Sequence, residues 1–116
     1  MKRIKLILIF SAIILIWAIF SLVKLNTGPG AYEEFAKCIT DSGLKMYGTS
    51  WCGYCNQQKE LFGRSFQYID FTDCDKEKEI CQTEGISGYP TWKLNNQTYS
   101  GMQSLSSLEA LSGCTK

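Results

Sequence analysis

The sequence predicts an α/β domain, with helices flanking a small mixed sheet, preceded by one transmembrane helix. Three observations support this prediction. A long apolar run opens the chain, helix-like and strand-like segments alternate after it, and Cys52 and Cys55 lie at a strand-to-helix junction. A chain of 116 residues has room for one such domain. We expect an anchor over residues 1–25, a linker of turn-forming residues over 26–30 and the domain over 31–116.

The first segment is expected to cross a membrane. Residues 6–23 carry no charge and follow a basic N-terminus. A helix of this length spans about 27 Å, close to the hydrocarbon thickness of a bilayer. A cleaved signal peptide is the alternative, but its apolar region is usually shorter and ends in small residues, whereas Trp17 and Phe20 are bulky. We therefore favour an uncleaved signal anchor.

The distribution of charge and cysteine predicts the topology. Basic residues precede the apolar run, and only Lys24 follows it closely, so the N-terminus should be cytoplasmic and the domain extracytoplasmic. This describes a single-pass protein of the cell membrane. All six cysteines lie in the outer part, as suits an oxidising compartment. That part carries eight basic and eleven acidic residues, so a nucleic-acid partner is not expected.

The elements of the domain are expected in the order α-β-α-β-α-β-β-α. Helical spacing of apolar residues predicts the helices, runs of β-branched and aromatic residues predict the strands, and turn-forming residues separate them. The first five elements are a helix over 31–40, a strand over 44–48, a helix from Tyr54 to Gly63, a strand over 66–71 and a charged helix over 75–84. The sixth element is a strand that opens at Pro90, since proline lacks the N–H that a ladder uses. Asn95 and Asn96 then turn the chain into the strand 97–100, and Ser104 caps a closing helix.

The chemistry is expected at the start of the second of these helices. There the unpaired N–H groups and the helix dipole stabilise an anion, so Cys52 is predicted to be the exposed, attacking thiolate. Cys55, one turn later, can resolve a mixed disulfide. A structural zinc site needs four ligands. This chain has only one pair of cysteines separated by two residues, Cys52 and Cys55, and it has no histidine. Redox exchange is therefore favoured over a metal site or an inert disulfide, and no cofactor is expected.

The cysteine pair after the first strand and the proline opening the third resemble the thioredoxin fold, over about residues 31–114. The resemblance implies that the bond before Pro90 is cis, that Tyr89 precedes it beside the cysteine pair, and that this backbone pairs with an incoming peptide.

The residues around the two cysteines are candidates for substrate contact. Trp51 precedes the pair, and Gly53 and Tyr54 stand where cytosolic thioredoxins have Gly-Pro. We expect Trp51 to shape the substrate face and Tyr54 to place a side chain near the sulfur of Cys52.

Three further segments narrow the resemblance: KMYG over 45–48, KELFG over 59–63 and GYPTW over 88–92. Together they are similar to the thioredoxin-like domain fused to, or partnering, bacterial and plant vitamin K epoxide reductase homologues. This implies that the domain oxidises cysteine-containing secreted proteins and is reoxidised by a quinone-linked membrane enzyme. With a single predicted span, this chain would need that enzyme as a separate partner.

Where cytosolic thioredoxins have a buried carboxylate before the first cysteine, this chain has Met46. A carboxylate there would accept the proton of the resolving thiol, so its absence argues against efficient reductase activity. A reductase or isomerase fed by a membrane electron carrier remains an alternative, as does a non-catalytic binding module.

The other four cysteines are candidates for structural disulfides. The resemblance has a second cysteine pair near Cys74 and Cys81, which supports a bond between them. Of the three pairings that four cysteines allow, this one leaves Cys38 with Cys114. A redox relay through Cys74 and Cys81 stays open as a second interpretation.

Overall fold

The computed structural model describes residues 1–26 and 30–116, so most of the expected linker lies outside the described residues. Helix α1 covers Lys2–Asn26. Its segment Lys2–Val23 has a mean hydropathy of 3.0, and it is the one described helix long and apolar enough to cross a membrane. A signal sequence near an N-terminus has the same properties.

The domain, over the described residues 30–116, contains four α-helices and four strands. In chain order they are α2 (Glu33–Asp41), β1 (Lys45–Gly48), α3 (Gly53–Phe62), β2 (Phe71–Asp73), α4 (Lys78–Thr83), β3 (Thr91–Leu94), β4 (Gln97–Ser100) and α5 (Leu105–Ser112). The strands form one sheet in the order β2-β1-β3-β4. The β1–β2 pair is parallel and the other two pairs are antiparallel.

This arrangement confirms the predicted fold class, a thioredoxin-like α/β fold with a mixed sheet flanked by helices. The element order is the one expected, and the hairpin turns at Asn95, whose φ of 55° is positive. Asparagine tolerates that left-handed conformation better than most residues do.

The predicted strand over 66–71 is wrong at every position except Phe71. A 3-10 helix occupies Gly63–Tyr68, and β2 starts only at Phe71. The half-buried ring of Phe66 packs against the core, with its centre 6.2 Å from that of Phe62 and 5.6 Å from that of Phe71. Strand propensity here reflects side-chain burial, which a helical turn satisfies equally well.

The charged helix also begins later than expected, at Lys78 instead of Asp75. A turn occupies the intervening residues, because the Asp73 carboxylate accepts a hydrogen bond from the Asp75 N–H and the Asp73 carbonyl accepts from Lys76 and Glu77. Aspartate commonly stabilises a turn in this way.

The core lies between the sheet and the helices, and a buried amide joins the layers. Its largest apolar members are Trp92, Phe62, Ile39, Leu44, Met46 and Leu108. The side chain of Gln58 is fully buried, and its Oε1 accepts from Trp92 Nε1 at 3.1 Å and from the Gln103 N–H at 2.7 Å. Gln58 Nε2 donates to the Gln103 carbonyl at 2.9 Å. This network fixes α3 against β3, and with it the start of α3.

Candidate active site

Cys52 is the N-cap of α3, as the sequence predicts. Its backbone is extended, and its Sγ accepts a hydrogen bond from the Cys55 N–H at 3.2 Å. The sulfur takes the place that a serine or aspartate oxygen occupies at an ordinary N-cap. An anion on this atom is favoured both by the N–H group and by the positive end of the helix.

The two cysteines of this pair differ slightly in how much of each residue is exposed. Cys52 is 8% exposed and Cys55 is 0% exposed. The expectation of an exposed Cys52 is wrong, because the residue is buried. Cys52 is still the residue of the pair that solvent or a second molecule can reach.

Burial also sets the protonation of the inner cysteine. Desolvation, together with the hydrogen bond to Cys52, raises the pKa of the Cys55 thiol to about 11. A hydrogen bond from the Thr49 backbone and the charge of Lys59 act in the opposite direction. At neutral pH Cys55 therefore holds its proton in the reduced protein.

The approach of β1 to α3 depends on Gly48. A Cβ built at Gly48 would lie 2.7 Å from Cys55 Sγ, closer than real Cβ contacts allow. The absent side chain thus makes room for the inner sulfur on top of the sheet. The sequence places Gly48 at the end of a strand, but nothing local shows which atom fills the space.

Aromatic side chains form a rim beside the cysteine pair. Trp51 is 69% exposed, Tyr54 is 65% exposed and Tyr89 is 36% exposed. The rings of Trp51 and Tyr89 meet edge to face, with centres 6.1 Å apart. Because Trp51 precedes Cys52 and Tyr89 precedes Pro90, this contact brings the two segments together.

The remaining predicted support residues have simpler surroundings. The Tyr89–Pro90 bond is cis, the isomer that the resemblance implies, and Pro90 is buried. Gly53 is exposed, and a Cβ there would meet nothing within 4 Å. Gly53 therefore leaves the approach to Cys52 open without being required by packing.

Trp51 has a second partner that sequence reasoning missed. Its Nε1 donates to Asp75 Oδ2 at 2.7 Å, across 24 positions of the chain. Asp75 is adjacent to Cys74, so the rim is tied to the segment that carries the next cysteine pair. In the sequence Asp75 is only one acidic residue in a charged stretch, and no local pattern distinguishes it.

The structure contains two disulfides, Cys74–Cys81 and Cys38–Cys114. These are the pairs named from the sequence, and they leave Cys52 and Cys55 as the free cysteines. Cys74 and Cys81 are buried against Tyr47 in a small cluster of their own. In the described part of the chain, no group of three or more histidine, cysteine or acidic side chains is arranged to hold a metal.

Comparison with known proteins gives partial matches to redox proteins. No protein-family model matches the chain. It is 34% identical over 87 residues to the thiol-disulfide oxidoreductase LTO1 of Arabidopsis thaliana, covering 67% of this chain and 23% of that protein. It is 36% identical over 79 residues to the protein disulfide isomerase-like 2-2 of Oryza sativa subsp. japonica, covering 56% and 21%. The chain thus spans less than a quarter of the length of these relatives.

Among solved structures, the chain is similar to the oxidised thioredoxin from Plasmodium falciparum. The identity is 24% and the TM-score 0.46, with 69% of this chain and 88% of that chain covered.

Alkylation should distinguish the two thiols of the reduced protein. At pH 7 a limiting amount of iodoacetamide is expected to modify Cys52 first, because Cys55 is buried and its pKa is raised to about 11. Peptide mapping after quenching measures the order. Raising the pH through 11 should increase the thiolate fraction of Cys55, and preferential labelling of Cys55 at pH 7 would contradict the assignment.

Proposed function

We propose that this protein is a membrane-anchored thiol-disulfide oxidoreductase that oxidises cysteines of secreted proteins. One observation carries the proposal. Two cysteines free of the structural disulfides lie at the start of α3: the Sγ of Cys52, which is 8% exposed, accepts the Cys55 N–H, and Cys55 is fully buried with the pKa of its thiol raised to about 11. A structural pair has no need of this asymmetry, whereas an exchange pair does.

The exchange follows from this geometry. In the oxidised protein a substrate thiolate attacks Cys52 Sγ, the Cys52–Cys55 bond breaks, and its electron pair passes to the sulfur of Cys55. That sulfur then takes up a proton, because its pKa is about 11. A second substrate thiolate attacks the substrate sulfur of the mixed disulfide and releases Cys52 as a thiolate. The substrate loses two electrons and the cysteine pair gains them.

Each part of the site has a role in this sequence. The helix start and the Cys55 N–H stabilise Cys52 as the thiolate that leaves in the second step. The rim of Trp51, Tyr54 and Tyr89 offers an apolar surface to an unfolded substrate. The backbone beside Pro90 is placed to pair with the substrate chain.

We propose that electrons pass from the substrate to the cysteine pair, and the buried residue Met46 and the two disulfides support this direction. Met46 is fully buried where a carboxylate would assist a reductase, and so gives no proton acceptor there. The two disulfides suit an oxidising compartment.

We propose that residues 6–23 anchor the domain outside the cell membrane with the N-terminus cytoplasmic. A quinone-linked enzyme of the vitamin K epoxide reductase type then reoxidises the cysteine pair.

A stoichiometric assay tests the proposal. The isolated oxidised protein is expected to convert a reduced two-cysteine peptide once per molecule and then stop, because no oxidant is left. Adding a membrane enzyme of the proposed type with quinone should restore turnover. Mass spectrometry of the peptide, with its two disulfide-bonded cysteines, measures the product. Failure to oxidise the peptide, or a potential as low as roughly −270 mV, would instead support a reductase.

Isomerisation is the second candidate, favoured by the isomerase names of several relatives. An isomerase would reactivate a substrate with scrambled disulfides without any external oxidant. An oxidase of the proposed kind would not, so the same protein preparation separates the two candidates.

A further inference from the structure

Lys59 lies one turn after Cys55 on the same face of α3. Its ammonium is 4.3 Å from the centre of the Phe71 ring and 5.5 Å from the centre of the Phe66 ring. A cation over an aromatic face is attracted by the ring quadrupole. In the described part of the chain no salt bridge pairs Lys59 with a carboxylate, so its charge is not neutralised locally.

The Phe71 ring and the sulfur of Cys55 both lie close to the backbone of Gly48. The point where a Gly48 Cβ would lie is 2.7 Å from Cys55 Sγ and 3.3 Å from Phe71 Cε2. The sulfur, the ring edge and the glycine backbone therefore meet around one small space. Lys59 thus lies on the helix that carries Cys55, with its ammonium over the ring of Phe71.

We propose that Lys59 stabilises the negative charge that Cys55 acquires when it leaves during disulfide exchange, and that Phe71 is the positioning residue for the ammonium. The proposal rests on the proposed function, because exchange is what places the charge on this sulfur. The substrate thiolate bonds to Cys52 Sγ, the Cys52–Cys55 bond breaks, and its electron pair moves to Cys55. Lys59 acts through its charge, and solvent then protonates the thiolate.

The surroundings of Cys55 explain why such a charge matters. The sulfur is fully buried, and burial opposes a thiolate. Met46 offers no ionisable group on β1. Cys52 raises the pKa of the Cys55 thiol further, whereas the positive charge of Lys59 lowers it.

Two measurements on the full-length protein in detergent test the proposal. The first is the single-turnover rate at which the oxidised protein oxidises a reduced two-cysteine peptide. The second is the titration of the Cys55 ¹³Cβ shift in the reduced protein. Lys59→Met removes the charge and keeps an apolar stem, Lys59→Arg keeps the charge and can stack on the same rings, and Lys78→Met removes an exposed charge on α4 as a matched control.

Lys59→Met is expected to slow the single turnover about three- to tenfold and to move the Cys55 midpoint upward. Lys59→Arg should retain most of the rate, and Lys78→Met should match the unmodified protein in both measurements. Lys59→Gln is measured in parallel and should agree with Lys59→Met, so that a folding defect in either one, detected by circular dichroism, leaves the other to decide.

Equal rates and midpoints for Lys59→Met and Lys78→Met would overturn the proposal. So would a Lys59→Arg variant as slow as Lys59→Met, since that would assign the effect to the lysine stem. If the unmodified protein transfers no disulfide, the proposed function fails on its own, while the Cys55 titration still decides whether Lys59 acts on that sulfur.

Discussion

Replacing Cys52 with serine is expected to abolish disulfide transfer while leaving the fold intact. Without the Cys52 sulfur, neither the reactive disulfide nor the mixed disulfide can form. The serine hydroxyl can accept the hydrogen bond that Cys52 Sγ now accepts from the Cys55 N–H, and serine is among the preferred N-cap residues. Peptide oxidation should fall to the rate in buffer alone, with a thermal melting temperature no lower than that of the unmodified protein.

The matched variant is Cys55→Ser, which keeps the reachable sulfur and removes the one that resolves the intermediate. Mixed with a disulfide-bonded peptide, this variant is expected to accumulate a Cys52 adduct on a non-reducing gel, because no second thiol in the site releases it. Cys52→Ser should form none. Adducts on Cys52→Ser and none on Cys55→Ser would reverse the roles of the two cysteines.

The features that the sequence predicts well are those encoded over a few neighbouring residues. Cys52 at a strand-to-helix junction, a strand that begins within one residue of Pro90 (β3 starts at Thr91) and the turn at Asn95 each follow from local preferences. The N-cap position of Cys52 needs only the first turn of α3, and the hairpin needs only its turn residues. Local steric and hydrogen-bond rules decide these elements, so they need no knowledge of the rest of the chain.

The features that the sequence does not predict depend on contacts between distant residues. Phe66 reads as a strand residue, yet it packs between Phe62 and Phe71 from a 3-10 helix. Asp75 receives the indole N–H of Trp51 across 24 positions. Gln58 is a buried amide on a helix that reads as polar. Propensity is a weak prior, and tertiary packing determines each of these outcomes.

The same distinction applies within the site. The two cysteines can be found from their spacing, but their unequal burial cannot, because it depends on how closely β1 approaches α3 at Gly48. The position of Lys59 over Phe71 likewise requires that β2 lie beside β1 in parallel. The residue types thus predict which reaction the site can carry out. The burial of each cysteine and the charges around it can be known only from the folded domain.

The two disulfides are expected to differ in what they contribute to stability. The Cys38–Cys114 bond joins residues 76 positions apart and ties the end of the chain to α2. In the chain-entropy account, closing such a long loop in the unfolded state is worth about 4–5 kcal/mol, so Cys38→Ala with Cys114→Ala should lower the free energy of unfolding by about that amount. The Cys74–Cys81 loop spans 7 positions, and the corresponding loss is about 2–3 kcal/mol.

Urea denaturation of both double variants measures the difference, in a Cys52→Ser background so that the exchange pair cannot reshuffle the remaining bonds. The comparison is informative because loop length predicts the larger loss of stability for the Cys38/Cys114 variant, whereas burial predicts it for the Cys74/Cys81 variant. Cys38 is exposed and Cys114 is buried, whereas Cys74 and Cys81 are both buried beside Tyr47, so alanine removes two buried sulfurs there and only one from the longer link. A larger loss from the Cys38/Cys114 variant shows that loop closure dominates. A larger loss from the Cys74/Cys81 variant would show instead that packing around Tyr47, next to the segment that holds Trp51, contributes more than the long loop.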